Sequence, residues 1–74
     1  MADVRNASTK TVLAQIKNQR NIKNYTQGFV ANKLGISQNA YSKIESGVST
    51  LTITTLFRLS YIFDIDVLLF FEGE

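Results

Sequence analysis

Gln38, Asn39, Ser42, Lys43 and Ser46 follow one another at alternating steps of one and three residues, the spacing that gathers side chains on one side of a helix. All five donate hydrogen bonds, and only Lys43 carries a formal charge. Such a set is well equipped to read a pattern of donors and acceptors. The carboxamides of Gln38 and Asn39 match the N6/N7 edge of adenine, the ammonium of Lys43 reaches O6 and N7 of guanine, and a serine hydroxyl suits several edges. A merely solvated helix face is the competing reading, but it would ordinarily hold more Glu and Lys and fewer short amides and hydroxyls.

Other chemistry is restricted by what the 74 residues lack. There is no histidine and no cysteine. That removes imidazole bases, thiol nucleophiles, disulfides and zinc-thiolate sites. The carboxylates Glu45, Asp64 and Asp66 have no glycine-rich phosphate loop to work with, so neither an enzyme nor a cofactor or metal site is expected. The longest apolar run, Val67 to Phe71, is far too short to span a bilayer, and no signal-peptide core is present. A cytoplasmic protein without a membrane partner is expected. Charge is unevenly placed. Arg5, Lys10, Lys17, Arg20, Lys23, Lys33 and Lys43 face only Asp3 up to Ile44, whereas Arg58 alone faces Glu45, Asp64, Asp66, Glu72 and Glu74 beyond it. The first part suits an anionic partner and the second a different task.

The elements that would carry these residues read as all-α. Residues 1–8 are polar and aperiodic, a loose arm before a single domain over 9–74. Ser8 or Thr9 caps a first helix to about Asn21, with Val12, Leu13, Ile16 and Arg20 on one side. Thr26 opens a second helix to Leu34, whose inward side is Phe29 or Val30, Ala31 and Leu34. Gly35 follows where a left-handed stop is needed. Ser37 caps a third helix to about Ser46, which buries Tyr41 and Ile44 and is closed by Gly47. Thr52 caps a fourth, marked by Ile53, Leu56, Leu59 and Phe63, and Asp66 a short fifth over Val67–Phe71. Strands compete at Leu51–Thr55 and Val67–Phe71, where β-branched and aromatic residues gather, but hairpin turns are missing. The expectation is a compact five-helix bundle.

Two short helices around a glycine turn make a helix-turn-helix from Thr26 to Gly47. Ala31 permits a close crossing, Gly35 the turn, and Tyr41 and Ile44 anchor the second helix, with Val30, Leu34 and Ile36 filling the remaining inward slots. A generic helical hairpin is the alternative. The stretch TQGFVANKLGISQNAYSKIESG resembles the lambdoid phage repressor and Cro family, also called xenobiotic-response-element regulators, and the likeness extends from about Thr11 to Phe71. The following LTITTLFRLSYIFDID is similar more loosely.

The resemblance implies a lambda repressor-like DNA-binding domain whose third helix enters the major groove of double-stranded DNA. It places Gln38, Asn39, Ser42 and Lys43 at base edges and Gln27 on a phosphate at the start of the second helix, with Ser37, Ser46 and Lys33 as further phosphate contacts. It also implies a structural ion pair between Arg20 and Glu45, which explains an acid close to DNA. Three residues depart from the pattern. Gly28 stands where relatives commonly carry Glu, Leu51 where many have proline, and Asp64 where many have the glycine of a helix stop.

The last third holds more apolar residues than a small core needs. Phe57, Tyr61, Ile62, Leu69 and Phe71 are the expected surplus, and contiguous exposed apolar surface marks interfaces. With the family's habit this implies a homodimer on a near-palindromic operator, repressing by occupancy. The alternatives are an antitoxin-like or adaptor module whose main partner is another protein, and a controller of a restriction-modification operon.

Overall fold

The computed structural model describes residues 8–72, which form four α-helices and a closing 3-10 turn, with no strand among them. The helices are α1 (Thr9–Ile22), α2 (Gln27–Leu34), α3 (Gln38–Glu45) and α4 (Ile53–Phe63). Each start is set by a hydroxyl. Ser8, Thr26, Ser37 and Thr52 are extended, and each side chain accepts a hydrogen bond from the backbone N–H three residues on. That satisfies one of the donors every helix start leaves free. The arm expected over residues 1–8 lies outside the described residues except for Ser8, which belongs to the α1 cap.

The expected fifth helix is instead the 3-10 turn Val67–Phe71. A segment of only five residues is too short to sustain an α-helical nucleus. It closes by i→i+3 bonds such as Leu69 N–H to the Asp66 carbonyl at 2.9 Å. Three residues per turn put Val67 and Phe70 on the same side. Phe70 is fully buried and Val67 packs partly against the core. The turn lies chiefly on α1, and Gln15 donates from its carboxamide to the carbonyl of Glu72.

The core joins Val12 and Ile16 of α1, Val30, Ala31 and Leu34 of α2, Tyr41 of α3, Leu56, Leu59 and Phe63 of α4, and Phe70. Several expected core positions lie elsewhere. Ile53 is 70% exposed, because it is the first residue of α4, a turn ahead of Leu56. Ile36 lies in the α2–α3 turn at the surface, and Ile44 is only half-buried. Phe29 points outward, leaving Val30 as the inward residue, and its ring stacks beside Tyr25 with centroids 4.5 Å apart. Gln19 is buried and was not among the expected inward residues.

The turn geometry shows why α2 and α3 cross as they do. Gly35 has φ +78°, and the Ile36 N–H returns to the Ala31 carbonyl at 3.0 Å. That is a left-handed stop which a side chain would strain. Gly47 takes φ +86° one residue beyond the Ser46 cap of α3.

Candidate nucleic-acid interface

The α3 helix is held from behind by one buried carboxylate. Arg20 of α1 grips Glu45 with two parallel bonds, Nε to Oε2 at 2.8 Å and Nη2 to Oε1 at 2.9 Å. Its remaining amine donates to the Tyr25 carbonyl at 2.9 Å, in the loop leading to α2. Tyr41, one turn earlier on α3, donates its hydroxyl to Glu45 Oε2 at 2.6 Å, and Gln27 at the start of α2 donates to Oε1 at 3.0 Å. The Arg20–Glu45 pair thus ties α1, the α1–α2 loop, α2 and α3 together. Among the described residues no buried side-chain polar atom lacks a partner, so the charge is enclosed but satisfied.

The electrostatics follow from these contacts. Burial alone pushes the Glu45 carboxyl up, yet the bonds from Arg20, Tyr41 and Gln27 together hold it below its usual value. The same carboxylate raises the Arg20 guanidinium. Burial first, and then the bond to Glu45, raises the Tyr41 phenol far above its ordinary range. At neutral pH the cluster is therefore an ion pair with a neutral phenol bonded to it.

In front of this strut lies the hydrogen-bonding face. Gln38, Asn39 and Lys43 are exposed and Ser42 is half-buried. Ser37 is exposed and spends its oxygen on the Ala40 N–H at 3.0 Å as the α3 cap. Ser46 is exposed at the other end and donates to the Lys43 carbonyl at 3.2 Å. Gln27 is half-buried with its amide turned to Glu45, leaving the carbonyl end uncommitted. Lys33 is placed apart from the α3 residues as a group. Its ammonium sits 5.4 Å from the Phe29 ring centre, and it lines a hollow with Phe57, Arg58, Tyr61 and Ile62.

The five surplus apolar residues divide in two. Phe57 and Tyr61 stand out from α4, with Tyr61 88% exposed. Ile62 and Phe71 pack partly against the core and Leu69 is half-buried, so the core takes up more of this set than its length suggested. A second hollow beside Tyr61 is lined by Phe57, Ser60, Asp64, Ile65 and Asp66.

Sequence reasoning missed the Tyr41 hydroxyl and the Gln27 amide as parts of the Glu45 cluster. The usable signal was the four-residue step from Tyr41 to Glu45, which stacks them on one helix face.

A helix-turn-helix family model matches residues 16–70, from within α1 to the closing turn. No curated protein and no solved structure gives a match. The match covers most of the chain, and with the α2–turn–α3 geometry it defines the class: this chain belongs to the Cro/C1-type helix-turn-helix family. It is accordingly a DNA-binding transcription regulator. No helix of the described residues is long and apolar enough to cross a membrane, and no group of metal-ligating side chains occurs among them.

Proposed function

We propose that this protein is a sequence-specific repressor that binds a near-palindromic operator as a homodimer and acts by occupying it. The observation that carries the reading is the pairing of an exposed amide, hydroxyl and ammonium face on α3 with a rigid buried strut behind it. Gln38, Asn39, Ser42 and Lys43 supply base-edge contacts. Phosphate contacts come from Gln27, through the amide hydrogen not given to Glu45, and from the hydroxyls of Ser37 and Ser46, the latter turned from the Lys43 carbonyl. Lys33, set beside Phe57 and Arg58, goes to the α4 ridge instead. The start of α2, where Gln27 stands, also favours a phosphate through its free backbone N–H groups. Because lysine and phosphate contribute to binding, affinity falls steeply as salt rises.

The dimer rests on the α4 face. Phe57 and Tyr61 form an aromatic ridge with Lys33 and Arg58 in the hollow on one side and Asp64 and Asp66 in the hollow on the other. A two-fold axis through the ridge sets the basic flank of one protomer against the acidic flank of its partner, a self-complementary arrangement. Ile62 borders the contact, while Phe71 lines a separate hollow with Val12, Leu51 and Leu56. Two α3 helices then lie about 34 Å apart, one turn of the duplex. Selection from a random duplex library tests the proposal: near-palindromic sequences are expected to enrich, and no enrichment at low salt overturns it.

The exposure of Tyr61 favours a second reading, in which this ridge holds a different protein in antitoxin or adaptor fashion. A chain that stays monomeric at high micromolar concentration, alone and on DNA, supports that reading over the dimer.

A further inference from the structure

Glycine at position 28 is costly. It is the second residue of α2, where it forfeits helix propensity, and its φ is not in the left-handed region that would call for glycine. What it leaves free is space. A Cβ at Gly28 would stand 3.1 Å from Oε1 and 3.7 Å from Cδ of Gln38, and 3.9 Å from Oγ1 of Thr26. The first contact is tighter than a Cβ ordinarily accepts, and the atom it meets is the far end of a flexible side chain. The Gln38 side chain, first in α3, therefore lies down on the bare backbone at the start of α2, and only a residue without Cβ leaves it there undisturbed.

We propose that Gly28 is a specificity-determining residue: by lacking a Cβ it sets where the Gln38 carboxamide rests and so which base Gln38 reads at its end of each half-site. This rests on the DNA-reading role of α3 proposed above. Gly28 touches no base itself and acts through Gln38, so it is a positioning residue. A carboxamide resting in one place against a rigid helix loses less rotamer freedom on binding. Displaced by a methyl group, its two bonding atoms no longer meet an adenine edge squarely, and a bidentate contact depends on both.

The test compares sequences selected from a random duplex library by the full-length wild type, Gly28→Ala, Gln38→Ala and the double variant, with thermal melting of each. Gly28→Ala is expected to melt at or above the wild-type temperature. It is also expected to change base preference at one position per half-site by about fivefold or more, the lower end of what a bidentate contact discriminates. Gln38→Ala should flatten preference at that same position, and adding Gly28→Ala to it should change nothing further. An unaltered preference in Gly28→Ala, or changes spread over all positions, overturns the proposal while leaving the DNA-reading role intact. A Gly28→Ala chain that fails to fold overturns it as well, since the methyl group would then be refused by the fold rather than yielded to by Gln38. A wild type that selects no sequence overturns both.

Discussion

Glu45 is the residue on which the arrangement turns. Four donor atoms converge on its two oxygens, two from Arg20 on α1 and one each from Gln27 on α2 and Tyr41 on α3 itself. Removing one partner of such a pair leaves a buried charge uncompensated. Arg20→Ala is therefore expected to cost about 3–5 kcal/mol in urea unfolding, and an unchanged midpoint would contradict the strut. The acid limb gives a second check. The folded Glu45 carboxyl is held below its ordinary 4.5, so its stabilisation is complete above that pH and drains away as the pH falls through the lowered folded value. Unfolding free energy measured between pH 6 and 3 should fall in the wild type and fall less in Glu45→Gln. The two ends of the pair stood out in the sequence through the family likeness. The phenol of Tyr41 did not, because an aromatic at an inward helical position is accounted for by packing alone and its hydroxyl leaves no separate trace. Gln27 escaped for the opposite reason: at a helix start it already had a task facing outward.

At the scale of elements, the punctuation was legible and the inner faces less so. Hydroxyl caps at Ser8, Thr26, Ser37 and Thr52 and the glycine stop at Gly35 mark the helix limits because each satisfies a backbone group that the helix itself cannot. Ile36, Ile44 and Ile53 read as interior from their spacing along the chain. Whether an isoleucine at a helix end is covered depends on the neighbour packed there, which no single-helix pattern contains. Phe70 reached the core for a related reason. The closing segment winds three residues to the turn, which rotates Phe70 inward on the side of Val67. Asp64 ends α4 in the left-handed conformation, φ +55°, doing glycine's work with a side chain. That conformation strains residues bearing a Cβ, though Asp tolerates it better than most. Asp64→Gly is expected to stabilise the fold by about 0.5–1 kcal/mol and Asp64→Ala to destabilise it, both measured by thermal melting. A lower melting temperature in the glycine variant would show that the aspartate side chain contributes more than its backbone costs.

The whole molecule presents two faces of different character, a hydrogen-bonding face on α3 and an exposed aromatic ridge on α4. The charge division along the sequence anticipates this only in outline, since Lys33 and Arg58 lie together in space beside the aromatic ridge while Asp64 and Asp66 lie beyond it. If the ridge is a two-fold contact, Tyr61→Glu should give a folded monomer by sedimentation equilibrium. Reversing both flanks together, Arg58→Glu with Asp64→Lys, should retain more association than either change alone. Equal loss in the single and double variants would argue against the cross-flank pairing.

The central claim is that the α3 face reads bases, and Lys43 is the residue that tests it most directly. In the proposed reading Lys43, one turn from Asn39, meets base edges, whereas a lysine that met only phosphate would hold every sequence alike. Selected-site profiles of the wild type and Lys43→Ala from the same random duplex library separate the two cases. A loss of preference at one or two base pairs per half-site, with the rest of the near-palindrome retained, is expected. A uniform weakening across all sequences with an unchanged profile would contradict base reading by Lys43.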